Sequence, residues 1–340
     1  MMVQLRHIAA TLVFLSFLSA NAQDPQFSQF YAVPIYLNPA FTGNTQQARI
    51  TANYRNQWPG IPNSNSFVSS TFTFDYNMEK INSGIGVMVQ RDQAGTASLR
   101  STSAHFSYTY RVRLNRKWHW KPALQFGFGQ RTVDFNDLIF GDQLVTGNST
   151  SASSNLYRGQ GISYMDVSSG MLLYSRDTWW GVAAHHLNAP NMSLVQNKSP
   201  LPMKLSAHGG FKIPVKRNIK KKVISSFLVA GNYKHQQDWD QLDIGTYFSY
   251  DPFIFGLWYR GVPLKPAPGS HLNNESIVAM IGYGYYNFRV GYSYDITISS
   301  LSSPITAGAH EIAIVWEWHD PQRDTKRRRA SQMYIPCPAF

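Results

Sequence analysis

The chain has 340 residues, of which 15% are charged against about 25% in an ordinary soluble protein, while 14% are aromatic. That composition excludes a disordered chain, and no stretch of the body approaches the roughly 18 consecutive apolar residues of a membrane helix. The net charge of +12 comes with no Cys/His zinc spacing, phosphate-cradling loop or nucleic-acid motif, which argues against a nucleic-acid partner.

Residues 1–22 read as an export signal. Arg6 and His7 precede the 13-residue apolar run Ile8 to Ala20, and Ala20-Asn21-Ala22 forms a small-residue cleavage site ahead of Gln23. A cut after Ala22 removes Arg6 and no acid, so the exported chain carries a charge of +11. The only cysteine is Cys337, which rules out an internal disulfide. The next segment, 23–47, is a poor strand, because Pro25, Pro34 and Pro39 interrupt any ladder. It is also too apolar for a free tail, with Phe27, Phe30, Tyr31, Ile35, Tyr36, Leu37 and Phe41. It is expected to pack in or under the periplasmic mouth of the barrel that the rest of the chain is expected to build.

From residue 48 onward apolar and polar residues alternate with a period of two. In Ala104 to Leu114 one face shows Ala104, Phe106, Tyr108, Tyr110, Val112 and Leu114, and the other His105, Ser107, Thr109, Arg111 and Arg113. Phe288 to Ile296, Leu242 to Tyr250 and Glu311 to His319 repeat the pattern, with Asp295, Asp243 and Glu311 on the polar faces. About 14 strands are expected, at 48–57, 66–77, 83–92, 98–113, 118–131, 161–174, 179–187, 203–216, 221–234, 239–250, 252–260, 275–284, 286–296 and 309–319. Most exceed the five or six residues of soluble strands and suit a tilted membrane strand. Trp118 and Trp120, Trp179 and Trp180, Trp258 and Tyr259, and Trp316 and Trp318 gather toward strand ends, where interfacial girdles sit. The expected fold is an all-β antiparallel transmembrane outer-membrane barrel over 48–319, with a basic tail at 320–340.

Connections sort into two kinds. Long ones, Thr132 to Gln160, Leu187 to Leu201, Gly261 to Asn274 and Thr297 to Gly308, fall on one side, and tight turns such as Asn115 to Lys117 on the other. Long loops face outward, so both termini are expected in the periplasm. Lys80, Arg111, Arg113, Arg116, Lys117, Lys121, Arg176, Lys216, Arg217, Lys220, Lys221, Lys222, Arg323, Lys326, Arg327, Arg328 and Arg329 then converge on the periplasmic side, 17 of the 30 basic residues left after the cut. Such a rim suits solvated turns, an acidic partner or anionic lipid headgroups. No catalytic, cofactor or metal constellation emerges. His185 and His186 are adjacent and point apart in a strand, and Asp134, Asp137 and Asp142 lack the spacing of a calcium loop.

The run Asp24-Pro25-Gln26-Phe27-Ser28-Gln29-Phe30-Tyr31-Ala32-Val33-Pro34-Ile35-Tyr36-Leu37-Asn38-Pro39-Ala40-Phe41-Thr42-Gly43 closely resembles the opening of the PorP/SprF family of outer-membrane proteins, of the type IX secretion and gliding machinery of Bacteroidetes. The resemblance continues more loosely through the Gly- and Tyr-rich strands to the tail with Cys337-Pro338. It implies a non-enzymatic component of secretion in the outer membrane, supporting export or surface anchoring of cargo such as adhesins with a type B C-terminal domain. It further implies periplasmic secretion partners, including a peptidoglycan-binding protein of the OmpA type, and marks Phe27, Phe30, Tyr31, Tyr36, Leu37, Asn38, Pro39, Phe41 and Gly43 as plug or partner contacts. The rival reading from another class is a passive diffusion porin or small-solute transporter, which needs an open polar bore. An outer-membrane enzyme is a more distant third.

Overall fold

The computed structural model describes residues 24–30, 32–61, 67–95, 99–133, 138, 141–147, 161–194, 198–217, 223–267, 271–299 and 306–318. The alternating segments form strands β1 (Ala48–Gln57), β2 (Phe67–Met78), β3 (Ser83–Ala94), β4 (Leu99–Tyr110, resuming as Val112–Arg113), β5 (His119–Thr132), β6 (Gly161–Tyr174) and β7 (Thr178–His185). They continue as β8 (Lys204–Arg217), β9 (Val223–Gln236), β10 (Trp239–Tyr250), β11 (Phe253–Ala267), β12 (His271–Tyr285), β13 (Phe288–Thr297) and β14 (Ala309–Glu317). Each strand pairs antiparallel with the next, and β1 closes on β14 with Ile50 opposite Trp316 and Tyr54 opposite Ile312. The result is a closed barrel of 14 strands, whose closure removes every sheet edge.

The period of two now has a direction. Phe72, Phe106, Leu124, Phe126, Phe128, Leu257, Ile281 and Ile314 face outward and are exposed, with Phe128 58% accessible. Thr51, Asn53, Thr73, Gln125, Asn232, Ser293 and Glu311 face inward and are buried. An apolar outside around a largely polar inside is the reverse of a soluble barrel and suits a wall bathed in lipid. Trp120, Trp180, Trp316 and Trp318 join the outer girdle, but Trp179 and Trp258 do not: each is at most 4% exposed and points into the lumen, because its neighbour in the alternation takes the outer position.

The turns at residues 79–82, 175–177, 251–252 and 286–287 lie at one end, while Gln57, Thr132, His185 and Thr297, the strand ends that lead into the longer connections, lie at the other. The expected long connection Gly261 to Asn274 is replaced by ladder, since β11 and β12 stay paired out to Ala267 and His271. The register shifts at Arg260/Gly261 and Val262/Ala267 absorb prolines that read as loop, as bulges do. The segment 133–160 contributes one short helix, α1 (Gly141–Thr146), at the long-loop end. The export signal and the basic tail lie outside the described residues.

Candidate functional site in the barrel lumen

The prolines that spoil residues 24–47 as a strand organise them as a compact strap. Pro34 starts the single helical turn Pro34–Leu37, and Pro39 starts a 3-10 turn to Phe41; both sit where their missing N–H costs nothing. Asn38 joins the two turns. Its N–H donates to Pro34, its Oδ1 accepts from the Ala40 N–H at 2.9 Å, and its Nδ2 donates to the carbonyls of Met171 on β6 and Val182 on β7. The wall makes room for it at Gly170, where a Cβ would stand 2.0 Å from Asn38 Oδ1. Gly43 has φ +68°, and a Cβ there would meet the Gly84 backbone at 2.8 Å, so only glycine serves both curvature and approach.

The strap is held at three levels. At the short-turn end Lys121 Nζ donates to the Thr42 carbonyl at 2.6 Å, the Gly43 N–H donates to Asp75, and Thr45 Oγ1 donates to Glu317. Asp75 is itself paired with Arg49 at 2.9 Å. Lys121 therefore belongs to the lumen and not to the rim on which the sequence placed it.

Toward the other end Glu311 receives the strap as peptide: the N–H groups of Ser28 and Gln29 donate to its two carboxylate oxygens at 2.6 and 2.9 Å. Around it Arg55 pairs with Asp295 and Glu311, and Arg260 pairs with Asp243 and Asp295. Ser28 Oγ donates to Asp295 and accepts from Arg55 and Arg260. Both arginines are only 2% exposed, so their charges are matched by carboxylates inside the lumen, as burial requires.

The third level is the long-loop mouth. Asp24 accepts from His186 Nε2 at 3.0 Å and from Lys204 Nζ, and its N–H donates to Gln236. His186 Nδ1 meets Asp166, and the Tyr36 hydroxyl donates to the Pro25 carbonyl. His186 has φ +59°, so the alternation stops at His185 and the two rings stand 6.2 Å apart on the lumenal side, correcting the expectation that they point apart. Between these levels Phe30 packs edge-on against Trp258 at 4.8 Å and Phe41 stacks on His208 at 5.3 Å. With Leu37 and Ala40 they form one core with Leu172, Trp179, Leu228 and Val278 from the wall. Full burial of each large side chain is worth roughly 1.5–3 kcal/mol.

Burial alone raises the Asp24 carboxyl, but the His186 and Lys204 charges and hydrogen bonds hold it well below the usual carboxylate range. Burial likewise lowers His186, yet Asp24 and the bonds to both carboxylates lift it to about 9. A raised histidine contributes fully below its ordinary value and loses that contribution as pH climbs through the raised one. Amide exchange at Asp24, Gln26 and Phe27, corrected for intrinsic rates, is therefore expected to accelerate as pH passes about 9, and His186→Gln to abolish the step.

The structure places Phe27, Phe30, Tyr36, Leu37, Asn38, Pro39, Phe41 and Gly43 together in the lumen. Arg116 and Lys117 are exposed in the turn after β4, and Arg217 ends β8. Tyr31, Lys220, Lys221, Lys222, Lys326, Arg327, Arg328 and Arg329 lie outside the described residues. The sequence reading missed Asp24, Arg55, His186, Lys204 and Arg260 as strap contacts. The signal available was acid on the polar faces at Asp243, Asp295 and Glu311.

A closed, outwardly apolar barrel with a filled interior defines a β-barrel protein of the outer membrane. The profile described as type IX secretion system membrane protein PorP/SprF matches residues 19–316, and the chain belongs to that family. No protein of curated function matches the sequence. Among solved structures it is similar to the CymD monoaromatic hydrocarbon channel (12% identity, 85% of this chain and 93% of that one, TM-score 0.45). It is also similar to the Pseudomonas putida toluene transporter TodX (8%, 83% and 93%, 0.47) and Omp33 of Acinetobacter baumannii (9%, 82% and 100%, 0.41).

Proposed function

We propose that the protein is a non-enzymatic scaffold of type IX secretion that supports the export or surface anchoring of particular cargo and docks periplasmic secretion components at its short-turn rim. The observation that carries this reading is the occupied lumen. Residues 24–45 fill it from the Gln236 level to the Glu317 level through charge-matched and backbone hydrogen bonds, where a diffusion porin needs an open polar bore.

The rim supports the docking half. Lys80, Arg113, Arg116, Lys117, Arg176 and Lys216 are all exposed at the short-turn end, a field that suits an acidic protein surface such as that of a periplasmic partner. Single exposed charges are worth under about 1 kcal/mol, so the test must alter several. Reversing Arg113, Arg116, Lys117 and Arg176 to Glu is expected to reduce copurification of periplasmic secretion components and cargo display, most at low salt, while heat-modifiable gel migration stays that of a folded barrel. Unchanged copurification and display at low and moderate salt would overturn docking at this rim.

A further inference from the structure

The strap does more than fill the bore. Its last residues sit at the short-turn end, where Thr45 meets Glu317 and β1 begins. Its first described residue is bound at the opposite end. Asp24 is held by His186 just beyond β7, by Lys204 at the first position of β8 and by Gln236 at the last position of β9, all at long-loop strand ends. Burial follows the same course: Asp24, Pro25 and Gln26 are partly exposed, while residues 27–30 are buried. The chain thus opens onto solvent at the mouth ringed by the long connections.

Long loops face the cell exterior and tight turns the periplasm. We propose that the strap threads the membrane from end to end, so that whatever precedes Asp24 in the exported protein is displayed on the cell surface, while the strand ends Arg217, Tyr285 and Glu317 lie on the periplasmic side. This departs from the sequence-based expectation for the N-terminal end and keeps it for the C-terminal one. It rests on barrel orientation and contacts alone, and stands apart from the cargo and docking reading.

The test uses full-length protein in intact cells, with Cys337→Ser as background. A cysteine is inserted between Gln23 and Asp24, with Val145→Cys on α1 as the outer-face control, 87% exposed at the long-loop end, and Lys117→Cys as the inner-face control. The probe is a polyethylene-glycol maleimide too large to cross the outer membrane. The expected result is labelling of the inserted cysteine in intact cells to the extent seen at Val145→Cys, with Lys117→Cys labelled only after permeabilisation. An inserted cysteine labelled only after permeabilisation puts the end in the periplasm, and one protected in both states, in a protein that remains heat-modifiable, leaves it inside the lumen. Either result overturns the proposal. If the insertion prevents folding, an epitope placed at the same junction and read by antibody on intact cells decides between the same outcomes.

Discussion

Intact protein in a planar bilayer is expected to conduct at or near baseline, and protein lacking residues 24–44 to conduct as a wide pore. Strand spacing of ~4.8 Å and tilt of ~40° give 14 strands a backbone radius of about 14 Å, which inward side chains narrow without closing. The strap supplies the remaining volume with Phe27, Phe30, Ile35, Leu37 and Phe41, all buried. Deleting it leaves the wall able to close, because the β1–β14 ladder and the Arg55–Asp295 and Arg260–Asp243 pairs are wall to wall. The deleted form should therefore still migrate as a heat-modifiable barrel. Large conductance from the intact protein would favour the porin reading instead.

Glu311→Ala is expected to destabilise the folded barrel by about 3–5 kcal/mol, the usual cost of removing one partner from a buried ion pair. Arg55 loses one of its two carboxylates, and the Ser28 and Gln29 N–H groups and Asn53 Nδ2 lose their acceptor together. Glu311→Gln keeps oxygen at one of the two positions and should cost less. The midpoint of the heat-dependent gel shift measures the loss. Conductance distinguishes its location: a strap freed from Glu311 raises it, whereas damage confined to the wall lowers the midpoint alone. The adjacent Ile312, 47% exposed on the outer face, is the control, and its replacement by Ala should leave conductance at baseline.

The strands were legible because a wall between lipid and lumen enforces alternation at every residue, and β1, β6 and β10 fall where the period put them. Reading stopped where alternation stops carrying information. Pro263 and Pro266 looked like loop, yet a bulged hairpin overhang tolerates them. Trp179 and Trp180 looked like one girdle, although a strand must send neighbouring side chains to opposite faces. The strap's apolar content showed that it must pack, but not against which groups. Arg55 on β1 meets Asp295 on β13, two strands away through β14, a pairing that only the β1–β14 closure creates.

The contact between Ser28 and Glu311 joins residues 283 positions apart, so the strap finds its principal acceptor on β14. Pairings of such sequence separation form late, after the entropy of closing the intervening chain has been met. The thirteen pairings between successive strands can form in order without the strap, but the fourteenth, the seam between β1 and β14, encloses it. Seating the strap and sealing the wall are thereby coupled steps of biogenesis. Insertion machinery must keep the seam open until the strap is inside, and a chain that closes first would trap an empty barrel with its strap stranded in the periplasm.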